Sequence, residues 1–317
     1  MQIPLQMPNA KIRFCRHPKA TCRLCTAVML AMMSGASVLA ISPLAADTVD
    51  TTPLTLKRQA SKKQANQKAT DDSLQRILSD SGITAQLSSI SPIVIDESRE
   101  HWQSCHTSDS QLEPWLSDAL AARKMTQIAT DKLDEALDEQ TKIRILGWLN
   151  SPSGQAIVQA ERLSASLSDE DFEHYFSKLS DLPTYQSERA PRLRALINMT
   201  HAGAFVSTLN TEISGLVSLS IACSPNHDTI DDLLAQASNE RQDLSLLNAF
   251  MNIHLIRPTA VVYRQLDNQI VDDYLQFSKS EAGKTYHNAL INITRDTLVN
   301  RLGALADRVN ATAILTD

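Results

Sequence analysis

Apolar residues recur along the chain in steps of three to five, and from residue 71 onward that step dominates. Trp115, Leu116, Leu120, Met125, Ile128, Leu133 and Leu137 form one such series. Leu193, Leu196, Ile197, Phe205, Leu209, Ile213, Leu216 and Val217 form a second, and Ile230, Leu233, Leu234, Ala237, Leu244, Leu247 and Met251 a third. Each series draws an apolar stripe along an otherwise polar helix, because a 3.6-residue turn returns positions three and four apart to one face. Stripes of this kind leave water only by packing on one another, so the pattern predicts an all-α multi-helix bundle of roughly 250 residues. Asp71 or Asp72, Ser168 before Asp169-Glu170-Asp171, Ser187 with Pro191 in the following turn, and Asp228 all suit the N-cap of a helix. The acids after Ser168 complement the positive end of a helix, which explains them better than a carboxylate active site does.

Superimposed on the helical step is an internal repeat. Shifted by 129 residues, Leu137-Asp138-Glu139-Gln140 falls on Leu266-Asp267-Asn268-Gln269, and Leu146-Gly147-Trp148 on Leu275-Gln276-Phe277. Ser151-Pro152-Ser153-Gly154 falls on Ser280-Glu281-Ala282-Gly283, and Ala160 on Ala289. Seven identities in 24 positions exceed the one or two expected at ordinary residue frequencies. The period is too long for a solenoid unit, so the pattern predicts two similar helical modules, 71–180 and 181–317. Within each, Asp138 or Asp267 caps a short helix whose buried face carries Ile145 or Tyr274 and Trp148 or Phe277. Ser151 and Ser280 end that helix and cap the next, where Pro152 fits the first turn because its missing N–H would be unpaired anyway. Gly154 and Gly283 follow three residues on, where glycine costs about 1 kcal/mol against alanine. A repeated cost implies a close backbone approach, so these residues read as a packed helix–turn–helix corner in preference to a ligand site.

The stretch Trp148-Leu149-Asn150-Ser151-Pro152-Ser153-Gly154-Gln155 and its second copy, Tyr274-Leu275-Gln276-Phe277 through Ser280-Glu281-Ala282-Gly283-Lys284, resemble a known signature. It is the aromatic–Ser-Pro–x–Gly–Lys/Gln motif of the exported bacterial family named domain of unknown function 2059. The resemblance covers two stretches of about 25 residues, by the alignment above. It implies an all-helical domain behind a signal peptide and an envelope-associated location, and it brings no activity with it. Glu281 in place of proline and Ser278 in place of a second aromatic are departures in the second copy.

The first 46 residues break the helical pattern. Lys11, Arg13, Arg16, Lys19 and Arg23 stand without an acid, an apolar run from Thr26 to Ile41 follows, and Pro43-Leu44-Ala45-Ala46 precedes Asp47. That order predicts a secretory signal peptide over 1–46 and a periplasmic or secreted protein. The alternative is an uncleaved anchor, since Thr26 to Ala45 spans 20 residues. Residues 47–70 hold Lys57, Arg58, Lys62, Lys63 and Lys68 among polar residues, and read as a disordered linker, the one segment suited to membrane contact. Without the leader the net charge moves from −6 to near −11, which argues against nucleic-acid binding.

Two cysteines then remain, Cys105 and Cys223, and an oxidising compartment makes them a disulfide candidate. A metal site on His101, Cys105 and His106 lacks a fourth ligand and is the weaker reading, so no metal or cofactor is expected. The chain shows no phosphate-cradling glycine loop, no Gly-x-Ser-x-Gly elbow, no His-Glu-x-x-His and, past the leader, no Cys-x-x-Cys. His174, His201, His254 and His287 read as surface or satisfied interior histidines, and no catalytic residue is expected. Tyr263-Arg264 has the makings of an anion contact, although an arginine stem covering apolar surface is simpler. The expected function is a non-enzymatic envelope protein that binds a protein, a polymer or a small apolar ligand; the alternative is a hydrolase whose site forms only in the fold.

Overall fold

The computed structural model describes residues 72–102, 109–164, 167–220 and 245–313, and among them every regular element is a helix. The expected leader, the linker, the Cys105–Cys223 pair, the His101–His106 cluster's side chains and the helix start at Asp228 lie outside the residues and side chains described.

Helix α1 (72–80) stops at Gly82, whose φ of 77° is left-handed and suits a residue without a Cβ. The chain turns there into α2 (Ile83–Trp102). Helices α3 (Asp109–Ala119) and α4 (Ala122–Ala136) follow, the latter burying Met125, Ala129 and Leu133 at four-residue spacing. Then come α5 (Glu139–Leu149), α6 (Pro152–Ser164) and α7 (Asp169–Ser180). A capping box starts α7: the Ser168 hydroxyl accepts from the Asp171 N–H at 3.1 Å, and the Asp171 carboxylate accepts from the Ser168 N–H at 3.1 Å.

Ser187 does not cap a helix. It lies inside a π-helical turn (Tyr185–Arg189) that runs directly into α8 (Ala190–Met199), and its hydroxyl donates back to the Pro183 carbonyl at 3.4 Å. Pro191 has no N–H to continue an α-helical ladder, and the wider turn, in which the Ala190 N–H reaches Tyr185, carries the chain past it without a break.

The remaining helices are α9 (Ala202–Ser220), α10 (Ser245–His254), α11 (Ile256–Val262), α12 (Asn268–Lys279) and the 33-residue α13 (Glu281–Ala313). Helix α9 is buried on most of its circumference because α2, α8, α10 and α13 surround it. Helix α13 packs on α3, α4, α5, α9 and α12. The larger core runs from Leu74 through Leu133 and Ile145 to Ile213, Leu298 and Leu305, so the spans 71–180 and 181–317 share it. A smaller core gathers Ile157, Tyr185, Leu193, Leu196, Tyr263 and Val271. Trp148 packs against both. Among the described residues no helix is long and apolar enough to cross a membrane, and no group of three His, Cys, Asp or Glu gathers to hold a metal.

Candidate functional site

The two Ser-x-x-Gly stretches make the same bonds. At the first, the Ser151 N–H and hydroxyl donate to the Trp148 carbonyl at 2.9 and 2.7 Å, and the Gly154 N–H donates to Ser151 Oγ at 3.0 Å. At the second, the Ser280 N–H and hydroxyl donate to the Phe277 carbonyl at 2.9 and 2.6 Å, and the Gly283 N–H donates to Ser280 Oγ at 3.1 Å. Each serine therefore satisfies a carbonyl in the last turn of one helix and an unpaired N–H of the next. A methyl group at Gly154 would strike the Trp148 carbonyl oxygen, and one at Gly283 the Phe277 carbonyl oxygen, so both corners close over a bare Cα. The helix entries differ. Asp138 accepts from the Thr141 N–H at 2.6 Å, which holds its carboxyl below the usual range, whereas Asp267 makes no side-chain cap bond. Pro152 opens α6 and is exposed.

The corners meet. Helix α5 lies on α13 and α6 on α12, so the first helix of each corner packs on the second helix of the other. At the crossing Trp148 stacks on Phe277, with centroids 4.8 Å apart and planes 7° from parallel, and on Tyr274 at 5.7 Å and 17°. Tyr274 and Phe277 share a face of α12 because they are three residues apart. Ser153 of α6 donates to Asp273 of α12 at 2.6 Å and ties the two elements at the rim.

Beside this stack lies a cavity of about 130 Å³. Ile157, Val158 and Glu161 of α6 line one side, and Tyr286, His287 and Leu290 of α13 the other, the same positions in the 129-residue register. Trp148, Tyr263 and Tyr274 complete the aromatic wall, with Phe205 and Ile83 behind. The lining is mostly apolar with a few convergent polar groups, the composition of small-ligand sites.

Glu161 and Asp80 are the two carboxylates that line this cavity. Glu161 Oε1 accepts from the Tyr263 hydroxyl at 2.7 Å. Burial pushes its carboxyl up to about 7, against the opposing pull of the Tyr263 bond and of Arg162. Burial likewise raises the phenols of Tyr263, Tyr274 and Tyr286, with Glu161 adding to each. His287 is buried, and desolvation, followed by repulsion from His201, drives its imidazole down to about 3, so it is neutral. Its Nε2 lies 3.2 Å from Ser278 Oγ, and the Ser278 hydroxyl donates to the Tyr274 carbonyl at 2.9 Å. The Ser278 hydroxyl thus lies within reach of both the Tyr274 carbonyl and the His287 ring.

Among the described residues the other histidines and Arg264 do not line this cavity. His174, His201 and His254 are exposed. The Arg264 guanidinium covers the Tyr175 ring at 4.2 Å and donates to the Val261 carbonyl at 2.8 Å. Glu161, Tyr286 and His287 escaped the sequence reading as site residues. One signal was present: Glu161 occupies the register position of Leu290, a carboxylate where the other copy has an apolar residue. No family model, curated protein or solved structure matches the chain.

Proposed function

We propose that this is an exported protein of the bacterial envelope that binds a small, largely apolar ligand without transforming it. In this reading residues 1–46 are a cleaved signal peptide, or an anchor if retained, and 47–70 a tether. The folded part is then two copies of one bent helical unit, of the kind found in the domain of unknown function 2059 family. The observation that carries the proposal is the cavity between the corners, lined at matching positions by α6 and α13 and by the Trp148, Tyr263 and Tyr274 rings. Of the three partner classes raised by the sequence, a small ligand fits this feature better than a protein or a polymer, because the aromatic groups converge inward.

Saturation-transfer NMR of the full chain against a panel of small neutral and charged compounds tests it. Binding that disappears in Val158→Phe, which fills the space, is the expected result. A panel in which nothing binds, or in which Val158→Phe binds equally well, overturns the reading. N-terminal sequencing of exported protein tests the leader: a new terminus at Asp47 supports cleavage, and an intact one supports the anchor.

The hydrolase alternative has one observation in its favour, the Ser278–His287 pair. Ser278 is fully buried and its hydroxyl donates to the Tyr274 carbonyl, and His287 is buried beside it, so the pair lies out of a substrate's reach. The binding reading is therefore preferred.

A further inference from the structure

The chemistry of the cavity wall narrows the ligand class, on the premise that the cavity is a binding site. Its charged lining residues are Asp80 and Glu161, both acids, and no lysine or arginine lines it among the described residues. Asp80 is already neutralised at the rim, where Arg76 approaches it at 3.3 Å and Arg162 at 2.8 Å. Glu161 has no such partner. Its one hydrogen bond among the described residues comes from the Tyr263 hydroxyl onto Oε1, which leaves Oε2 without a donor. Trp148, Tyr274 and Tyr286 line the same cavity, and aromatic rings of this kind attract positive charge. A half-buried carboxylate with no ion pair of its own, in a cavity lined by aromatic residues, becomes better compensated once a cation enters. The volume of about 130 Å³ sets the size, since an apolar cavity of roughly 150 Å³ holds a benzene.

We propose that the cavity receives a small organic ammonium ion, of roughly five to seven non-hydrogen atoms, with Glu161 as its counter-charge and Trp148, Tyr274 and Tyr286 as its aromatic walls. The N–H groups of an alkylammonium supply the donor that Glu161 Oε2 lacks, and its alkyl part replaces empty space against Val158, Leu290 and Phe205. Binding is linked to protons. The groups facing Glu161 are Tyr263 of the segment after α11, Tyr274 of α12, Tyr286 and His287 of α13, Arg162 of its own helix and Asp80 of α1. The three phenols are raised and His287 is lowered, so Glu161 is the cavity group that changes charge between about pH 5 and 8. A protonated Glu161 offers no counter-charge, and affinity for the cation therefore falls as pH drops.

Isothermal titration of the full chain with isobutylammonium and with isobutanol, its neutral counterpart of nearly equal shape, tests the proposal. At about pH 8 the ammonium ion is expected to bind at least tenfold more tightly than the alcohol, and at about pH 5.5 that preference is expected to vanish. Glu161→Gln is expected to abolish the preference at both values. If that variant does not fold, the pH comparison on the parent chain stands alone. Equal or tighter binding of the alcohol at the higher pH overturns the cation while leaving the ligand cavity in place. Failure of both compounds, when other members of the NMR panel bind at the cavity, also rejects the cation, whereas failure of the whole panel rejects the cavity itself.

Discussion

Glu161 keeps its proton longer than a carboxyl in water does, and that difference reaches global stability. Its folded value of about 7 lies above the ordinary 4.5, so between those limits the unfolded chain gives up a proton that the folded chain retains. Stability from this group is therefore fully present below about pH 4.5, falls as pH rises toward 7 and is level beyond it, a change of about 3 kcal/mol. Urea melts of the parent and Glu161→Gln are expected to diverge between about pH 5 and 8, the parent losing stability relative to the variant. Parallel profiles would contradict the assignment. At this scale little was legible in advance. Nothing local separates Glu161 from the other acids, because its environment comes from Tyr263, Tyr274 and Tyr286, more than 100 residues away. His287 is a different case: an apolar helical setting pointed to a satisfied interior histidine, and the fold supplies Ser278 as the partner.

The helical element is where sequence rules and close packing pull in opposite directions. Alanine favours a helix over glycine by about 1 kcal/mol, so any Gly→Ala substitution with room for a methyl group should stabilise. Gly147 has open space around its Cα, and Gly147→Ala is expected to gain about 0.5–1 kcal/mol. Gly154→Ala and Gly283→Ala drive a methyl into a carbonyl of the preceding helix's last turn, and each is expected to lose about 1–3 kcal/mol despite the better propensity. Denaturant midpoints of the three variants decide it; a loss at Gly147 or a gain at either corner would mean the close approach is misjudged. The repeated glycine, the serine cap and the aromatic were readable from the amino acids because each acts on neighbours within six residues. The π turn before α8 was not. Ser187 ahead of Pro191 satisfies the N-cap rule locally, but Tyr185 and Ala190 are buried against Leu193 and Leu196, and that packing extends the helix backward through the proline.

The whole molecule is organised by a crossing: α5 on α13, α6 on α12, and Trp148 between the two hydrophobic clusters. Because Leu133 and Ile145 are buried beside Leu298 and Leu302, neither span on either side of residue 180 owns a complete core. Residues 71–180 expressed alone are expected to lack the cooperative thermal transition of the full chain by circular dichroism. A sharp transition in the fragment would show that its helices suffice. The sequence by itself determined the helical class, the helix starts at Asp138, Ser151, Ser168 and Ser280, and the bonding of each corner, since these depend on stripe periodicity and on capping groups a turn away. Only the tertiary structure decided that the two aromatics stack on each other, that a carboxylate ends among tyrosines, and that a cavity opens between the matching faces. Those outcomes follow from long-range burial of one helix pair against another, and no spacing along the chain encodes the angle at which they cross.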